Sequence, residues 1–160
     1  MSTIIGIDPG ITGALAVMEN DCMIEVEDMP IVALAHGKKT KRQVSPQLLT
    51  DLLENLTHGR GEVLAIIEAV HSMPDQGVAS SFNFGKGCGR IEGVLAGMRI
   101  PYTFVTPQAW KKRAGLIGKD KDVARTLAIE LLPDMSSYLA RKKDIGRADA
   151  MLIAKFGGQV

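Results

Sequence analysis

A chain of 160 residues, 46% apolar and 23% charged, is long enough for one domain with a substantial core. Its apolar runs are too short to span a bilayer, and its start reads as a strand rather than a basic stretch leading into an apolar one, so neither a membrane span nor a signal peptide is expected. The net charge of +1 singles out no partner, and two distant cysteines, Cys22 and Cys88, are expected to be reduced, buried thiols in a cytoplasmic setting.

Residues 3–8, Thr3-Ile4-Ile5-Gly6-Ile7-Asp8, form a near-continuous apolar run of the kind found in a central strand covered on both faces. Pro9-Gly10-Ile11-Thr12-Gly13 reads as a turn, with two glycines available for positive φ. Residues 14–18 and 23–26 read as strands joined at Glu19-Asn20-Asp21, an antiparallel meander. Ser45-Pro46 marks a helix start, Ser as N-cap and Pro at the first helical position. Leu48, Leu49, Leu52, Leu53 and Leu56 then make one apolar stripe, and Gly59 is placed to stop the helix. Residues 63–68 return to strand. A polar loop is expected over 69–80, then a glycine-rich helix over 82–98. Its five glycines imply close backbone approach to another element or to a ligand. Residues 101–105 read as a strand, Thr106-Pro107 as a second helix start, and 120–132 as a helix with Val123, Leu127 and Leu131 on its apolar face, ended by Pro133. Residues 149–156 belong to a final helix. Three leading strands followed by alternating helices and strands predict an α/β domain, a mixed sheet flanked by helices.

The acids carry the chemical signal. Asp8 closes the first apolar run, Glu68 closes the run at 63–67, and Asp149 borders a third, Ala150-Met151-Leu152-Ile153-Ala154. A carboxylate at the edge of a buried segment is costly without a cation beside it. Three such acids suggest one shared partner, a divalent metal held by hard oxygen ligands, and hence a metal-dependent reaction on a phosphate. The bases are clustered too, at Lys38–Arg42 (Lys38-Lys39-Thr40-Lys41-Arg42), at Lys111-Lys112-Arg113 with Lys119 and Lys121, and at Arg141-Lys142-Lys143 with Arg147. One cluster is a solvated loop; three in a near-neutral chain point to a phosphate-binding face and to nucleic acid.

Taken in order, Ile5-Gly6-Ile7-Asp8-Pro9-Gly10-Ile11-Thr12-Gly13, Ile67-Glu68, Val105-Thr106-Pro107 with Trp110-Lys111, Gly118-Lys119-Asp120-Lys121 and Arg147-Ala148-Asp149-Ala150 resemble RuvC-like Holliday junction resolvases of the ribonuclease H-like superfamily. The stretch Val70-His71-Ser72-Met73-Pro74 through Phe82-Asn83-Phe84-Gly85 is similar to compact phage and bacterial members. The resemblance spans nearly the whole chain. It implies a ribonuclease H-like fold, with a mixed five-stranded sheet and helices on both faces, as a single nuclease domain over residues 1–160. It also implies an endonuclease that resolves four-way DNA by paired symmetric nicks, acting as a homodimer on branched DNA with Mg²⁺ (Mn²⁺ as an alternative). In such enzymes two divalent ions sit about 4 Å apart, one activating water and one stabilising the leaving oxygen. Asp8 would bridge them, Glu68 would hold one and Asp149 the other. Lys111, Lys112, Lys119 and Lys121 would contact the DNA backbone.

The family carries a further acid one helical turn before the last Asp, where this chain has Gly146. Asp144 stands nearby, either as a fourth ligand or as a helix N-cap, with an ion pair to Arg147 as a third reading. Phe82 and Phe84 either wedge into an open junction centre or pack their helix. Trp110 is read as a packing residue, His71 as solvated, and Gln76 and Asn83 as weak candidates for reading base edges. Ile91, Val94, Leu95 and Met98 on the glycine-rich helix are the expected dimer surface. Two other classes stay open: an actin-like or sugar-kinase-type ATPase domain, which shares the first phosphate loop, and a non-catalytic module that binds branched DNA.

Overall fold

In the computed structural model, residues 2–71 and 75–158 are described; Ser72, Met73 and Pro74, part of the phage-like stretch, lie outside them. The chain opens with β1 (Ser2–Asp8), β2 (Ala14–Glu19) and β3 (Cys22–Asp28), an antiparallel meander as expected. Asn20 and Asp21 make the β2–β3 turn with φ of 49° and 64°, the positive values that a two-residue hairpin turn of matching twist requires. The basic run at 38–42 is not a loop. It lies in a separate two-stranded hairpin, β4 (Ile31–His36) with β5 (Lys39–Val44), turned at Gly37 with φ of 61°.

Helix α1 (Pro46–Thr57) starts as its sequence dictates, with Ser45 Oγ accepting from Leu48 N at 3.3 Å. It buries Leu49, Leu53 and Leu56, while Leu48 stays exposed. β6 (Glu62–Glu68) follows, then α2 (Val78–Gly97), which begins four residues earlier than the sequence suggested, then β7 (Tyr102–Val105). In α3 (Pro107–Arg113), Thr106 Oγ1 accepts from Ala109 N at 3.2 Å. α4 (Lys121–Leu131) turns Ala124 and Ala128 inward; Val123 and Leu131 of the expected apolar face are exposed and only Leu127 packs on the core. Two 3-10 segments, Pro133–Leu139 and Lys142–Asp144, lead into α5 (Ile145–Phe156), which starts four residues before Asp149.

The main sheet has the order β3-β2-β1-β6-β7, with β1 antiparallel to β2 and parallel to β6, and β6 parallel to β7. This is the expected mixed five-stranded sheet with helices on both faces. Alternation along β1 sends Ile5 and Ile7 into a core shared with α1 and α2, and turns Gly6 and Asp8 toward α5. The opposite core gathers Trp110 of α3, the alanines of α4 and Met151, Leu152 and Ile153 of α5. Ile91 and Leu95 are 0% exposed within the single chain, in the core under α2, and Val94 and Met98 pack against it. The apolar residues expected to form a dimer surface are therefore spent inside the monomer. Cys88 is half-buried and Cys22 is exposed; both are free thiols.

Candidate active site

Two glycines set the site's depth. A Cβ on Gly6 would lie 2.2 Å from the Ala150 carbonyl oxygen and 2.4 Å from Ala154 N, so α5 lies on β1 only because nothing projects there. A Cβ on Gly146 would lie 2.2 Å from the Thr12 carbonyl oxygen, so the start of α5 meets the β1–β2 loop equally closely. Asp149 falls between these two contacts and is thereby level with the end of β1. The parallel register pairs Ile7 with Ile67, which leaves Asp8 and Glu68 side by side, one residue on, at the same strand ends. Ile66 faces the α5 core, and so does Glu68, two residues later. The three acids singled out in the sequence thus converge on one face at the carboxyl edge of the sheet.

The three carboxyls also act on one another's charge. Each carboxyl reaches solvent on its open side but is otherwise surrounded by protein. Lost hydration is the main reason Asp149 is pushed from 3.8 up to about 7, with repulsion from Asp8 and Glu68 adding to it. Asp8 is raised chiefly by burial, against a backbone hydrogen bond at Gly10. Glu68 is raised by burial and then by the charge of Asp8. Lys111 opposes the shift at all three acids and Lys121 at Asp8 and Asp149, so these two lysines stand at the site's edge. Lys112 and Lys119 are exposed on the same α3–α4 segment. Trp110 is fully buried with Lys111 Nζ 5.2 Å from its ring centre. Its indole Nε1 makes no hydrogen bond of ordinary geometry, yet it favours the charged form of Glu68. The contact is longer or less well aligned than an ordinary hydrogen bond.

Asp144 is apart from this group. It is 4% exposed, and Arg141 takes up both its oxygens: Arg141 N donates at 2.8 Å, Nη2 at 2.8 Å and Nε at 3.1 and 3.2 Å. The guanidinium holds its carboxyl below the usual range. Asp144 stands at the N-cap position of α5, but its side chain caps the 3-10 turn before it by accepting from Arg141, and it makes no side-chain cap on α5 itself. Its partner is not Arg147, which forks onto Asp28 at 2.7 and 3.0 Å. At Gly146, where the family carries its extra acid, the Thr12 carbonyl leaves no room for a side chain.

Among the described residues, no three His, Cys, Asp or Glu side chains form a ready-made metal cage. The three carboxylates instead line an open, oxygen-only site with surplus negative charge. That donor set fits a hard divalent cation that keeps several of its waters and shares the rest of its shell with a phosphate. Phe82 is 69% exposed on α2, whereas Phe84 is half-buried beside the β5 strand. His71 is exposed. The hairpin that carries the bases at 38–42 and Arg141's service to Asp144 escaped the sequence reading, because both depend on which other element a side chain or strand meets.

No protein-family model matches the chain. A protein of Chlamydomonas reinhardtii named "Holliday junction resolvase MOC1, chloroplastic" is 35% identical over 89 residues, 55% of this chain and 10% of that protein, so the chain spans about a tenth of the relative's length. Among solved structures, RuvC of Thermus thermophilus in complex with a Holliday junction substrate aligns with a TM-score of 0.62 at 16% identity, covering 96% of this chain and 90% of that one. A second Thermus thermophilus RuvC structure aligns with a TM-score of 0.57 at 16% identity over 95% and 90%. No helix among the described residues is long and apolar enough to cross a membrane. The sheet order, the helices on both faces and these alignments give the chain the ribonuclease H-like fold of RuvC.

Proposed function

We propose that the chain is a divalent-metal-dependent endonuclease that resolves Holliday junctions by paired, symmetric nicks. It would act as a single nuclease domain over residues 1–160, in the cytoplasm. One observation carries this reading: Asp8, Glu68 and Asp149 are drawn from two strand ends and a helix into one desolvated group, flanked by Lys111 and Lys121, on the RuvC fold.

Asp8, Glu68 and Asp149 would hold the metal, with Mg²⁺ the expected ion and Mn²⁺ the alternative. When bound, the ions supply an activated water and stabilise the charge on the oxygen that departs from phosphorus. The rest falls to the chain's own groups. Without metal, Asp149 keeps its proton up to about pH 7, so a metal ion would have to displace that proton and should bind more tightly as pH rises. Lys111 and Lys121 ease that loss and offer cations to the phosphate being cut. Lys112 and Lys119 extend the same basic strip for the flanking backbone. Phe82, held out from α2 into solvent, suits a wedge at the branch point. Asp144 is assigned to holding the start of α5, and so to positioning Asp149, rather than to the metal.

Two symmetric nicks call for two copies related by a two-fold axis. With Ile91 and Leu95 spent in the core, the open face of α2 is its row of glycines, Gly85, Gly89, Gly93 and Gly97, where an added Cβ would meet nothing within 4 Å. Pairing of this face with a second copy is the proposed homodimer contact.

A supercoiled plasmid bearing an extruded cruciform tests the reading. Linear product with Mg²⁺, none with EDTA and no phosphate released from ATP are expected. ATP hydrolysis without DNA cutting would favour the actin-like alternative, and binding without cutting the non-catalytic one.

A further inference from the structure

The β4–β5 hairpin stands off the main sheet. Val44 and Ile31 anchor its base in the core, while Ala33, Leu34, Lys39, Lys41 and Arg42 are exposed. Two side-chain contacts tie it to α2: Lys41 Nζ donates to Asn83 Oδ1, and Arg90 Nη1 donates to the Val44 carbonyl at 3.0 Å. Between hairpin, α2 and the Pro9–Thr12 loop lies a groove of about 420 Å³. Among the described residues four cations line it, Lys41, Arg42, Lys86 and Arg90, and no Asp or Glu does. None of the four is in an ion pair among the described residues. The lining also has an apolar part, with Ile11, Val44 and Phe84.

Four like charges gathered in a concavity with no counter-charge repel one another, and the protein–solvent boundary concentrates their field. Such an arrangement suits a polyanion. The apolar part of the lining narrows the class. A duplex hides its base faces in the stack and cannot use Phe84, whereas a single strand presents phosphates and flat apolar faces together. The groove also begins at Pro9, the residue after Asp8. A strand crossing the three carboxylates would run from the Lys111–Lys121 edge directly into it.

We propose that this groove is a second nucleic-acid site, which binds one unpaired DNA strand beyond the cleavage point, its phosphates on Lys41, Arg42 and Lys86 and a base against Phe84. The assignment rests on the nuclease reading for its place in the reaction, but its binding is testable apart from cutting.

The test uses a short fluorescein-labelled dT oligonucleotide in EDTA, titrated over a range of salt. Replacing the exposed set Lys41→Gln, Arg42→Gln and Lys86→Gln should lower the salt slope by about two units, since each single-strand phosphate contact contributes about 0.7. Affinity at low salt should fall by about ten- to a hundredfold. Phe84→Leu, which keeps apolar volume, should weaken binding by about fivefold or more with the slope unchanged, because stacking releases no counterions. Arg90 is left alone because it holds the Val44 carbonyl. A triple variant with the wild-type slope overturns the proposal. So does unlabelled linear duplex that competes as well as single strand while Phe84→Leu binds normally. Junction cutting in Mg²⁺ is scored separately on the same proteins. Oligonucleotide binding through the groove without any cutting would sink the nuclease reading alone; cutting with an unaltered slope would sink the groove alone.

Discussion

Removing the charge of Asp149 should make the metal-free protein more stable, although it abolishes the proposed activity. Asp149 releases its proton near 3.8 when unfolded and near 7 when folded. Between those values the folded chain holds a proton that the unfolded chain has lost, so stability falls as pH rises from about 4 to about 7 and stays low above that. Below about pH 4 the penalty is absent. A shift of about three units, at 1.36 kcal/mol each, sets an upper limit of about 4 kcal/mol. Solvent at the open side of the site reduces it, and about 2 kcal/mol is the expected size. For a chain of this length that corresponds to a rise in Tm of about 4–8 °C for Asp149→Asn at pH 8 in EDTA. At pH 4 the two proteins should melt together. Adding Mg²⁺ at pH 8 should raise the wild-type Tm and recover much of the gap, since a ligand of the folded state stabilises it by mass action. Thermal unfolding followed by circular dichroism across pH 4–8.5 measures all of this. An Asp149→Asn protein that melts below wild type at pH 8, with the same pH slope, would refute the claim that the three carboxylates repel one another in a desolvated site.

Four further outcomes are expected. Asp144→Ala should cost about 1–3 kcal/mol through the lost cap and charged hydrogen bonds, with cutting per folded molecule unchanged; a large loss in the rate of folded protein, measured beside its denaturation curve, would return Asp144 to the metal site. Gly146→Asp, which restores the family's acid, should destabilise by about 1–3 kcal/mol or more instead of increasing activity, because its Cβ meets the Thr12 carbonyl. Lys111→Met should move the pH–rate profile upward, since Lys111 lowers the proton affinity of all three acids. Gly89→Glu and Gly93→Glu should leave the monomer as stable or slightly more so, because an exposed helical glycine costs up to about 1 kcal/mol, while ultracentrifugation shows a weakened dimer; an intact dimer would place the contact off the α2 glycine face.

The sheet and the acids were legible because both follow from local patterns. The double-sided apolar run of β1, the Ser45-Pro46 and Thr106-Pro107 starts and the turn at Asn20-Asp21 each dictate their geometry within a few residues. Asp8 and Glu68 could be paired because each ends a buried strand. What escaped was set by distant partners. The 31–44 hairpin has β4 apolar yet largely exposed and β5 basic, so neither strand shows the alternation that marks a half-buried sheet. The large residues of α4 suggested the wrong buried face, because the side turned toward the core carries the small residues Ala124 and Ala128. Leu95 and Ile91 looked like interface residues only because the helix glycines drew attention; those glycines lie on the opposite, open face. Asp144 could not be settled by spacing, since its role depends on Arg141 reaching both its oxygens.

The central claim is that Asp8, Glu68 and Asp149 form one metal-dependent cutting site specific for junctions. It is tested most directly by incubating a four-way junction, labelled in turn on each strand, and matched three-way, flap and linear duplexes with the wild type and with Asp8→Asn, Glu68→Gln and Asp149→Asn. The account predicts symmetric nicks in opposing strands of the four-way DNA, only when a divalent metal is present, and no cutting by any of the three variants although each still binds the junction. Cutting of the linear duplex at the same rate, or near-wild-type nicking by any one variant, would contradict it.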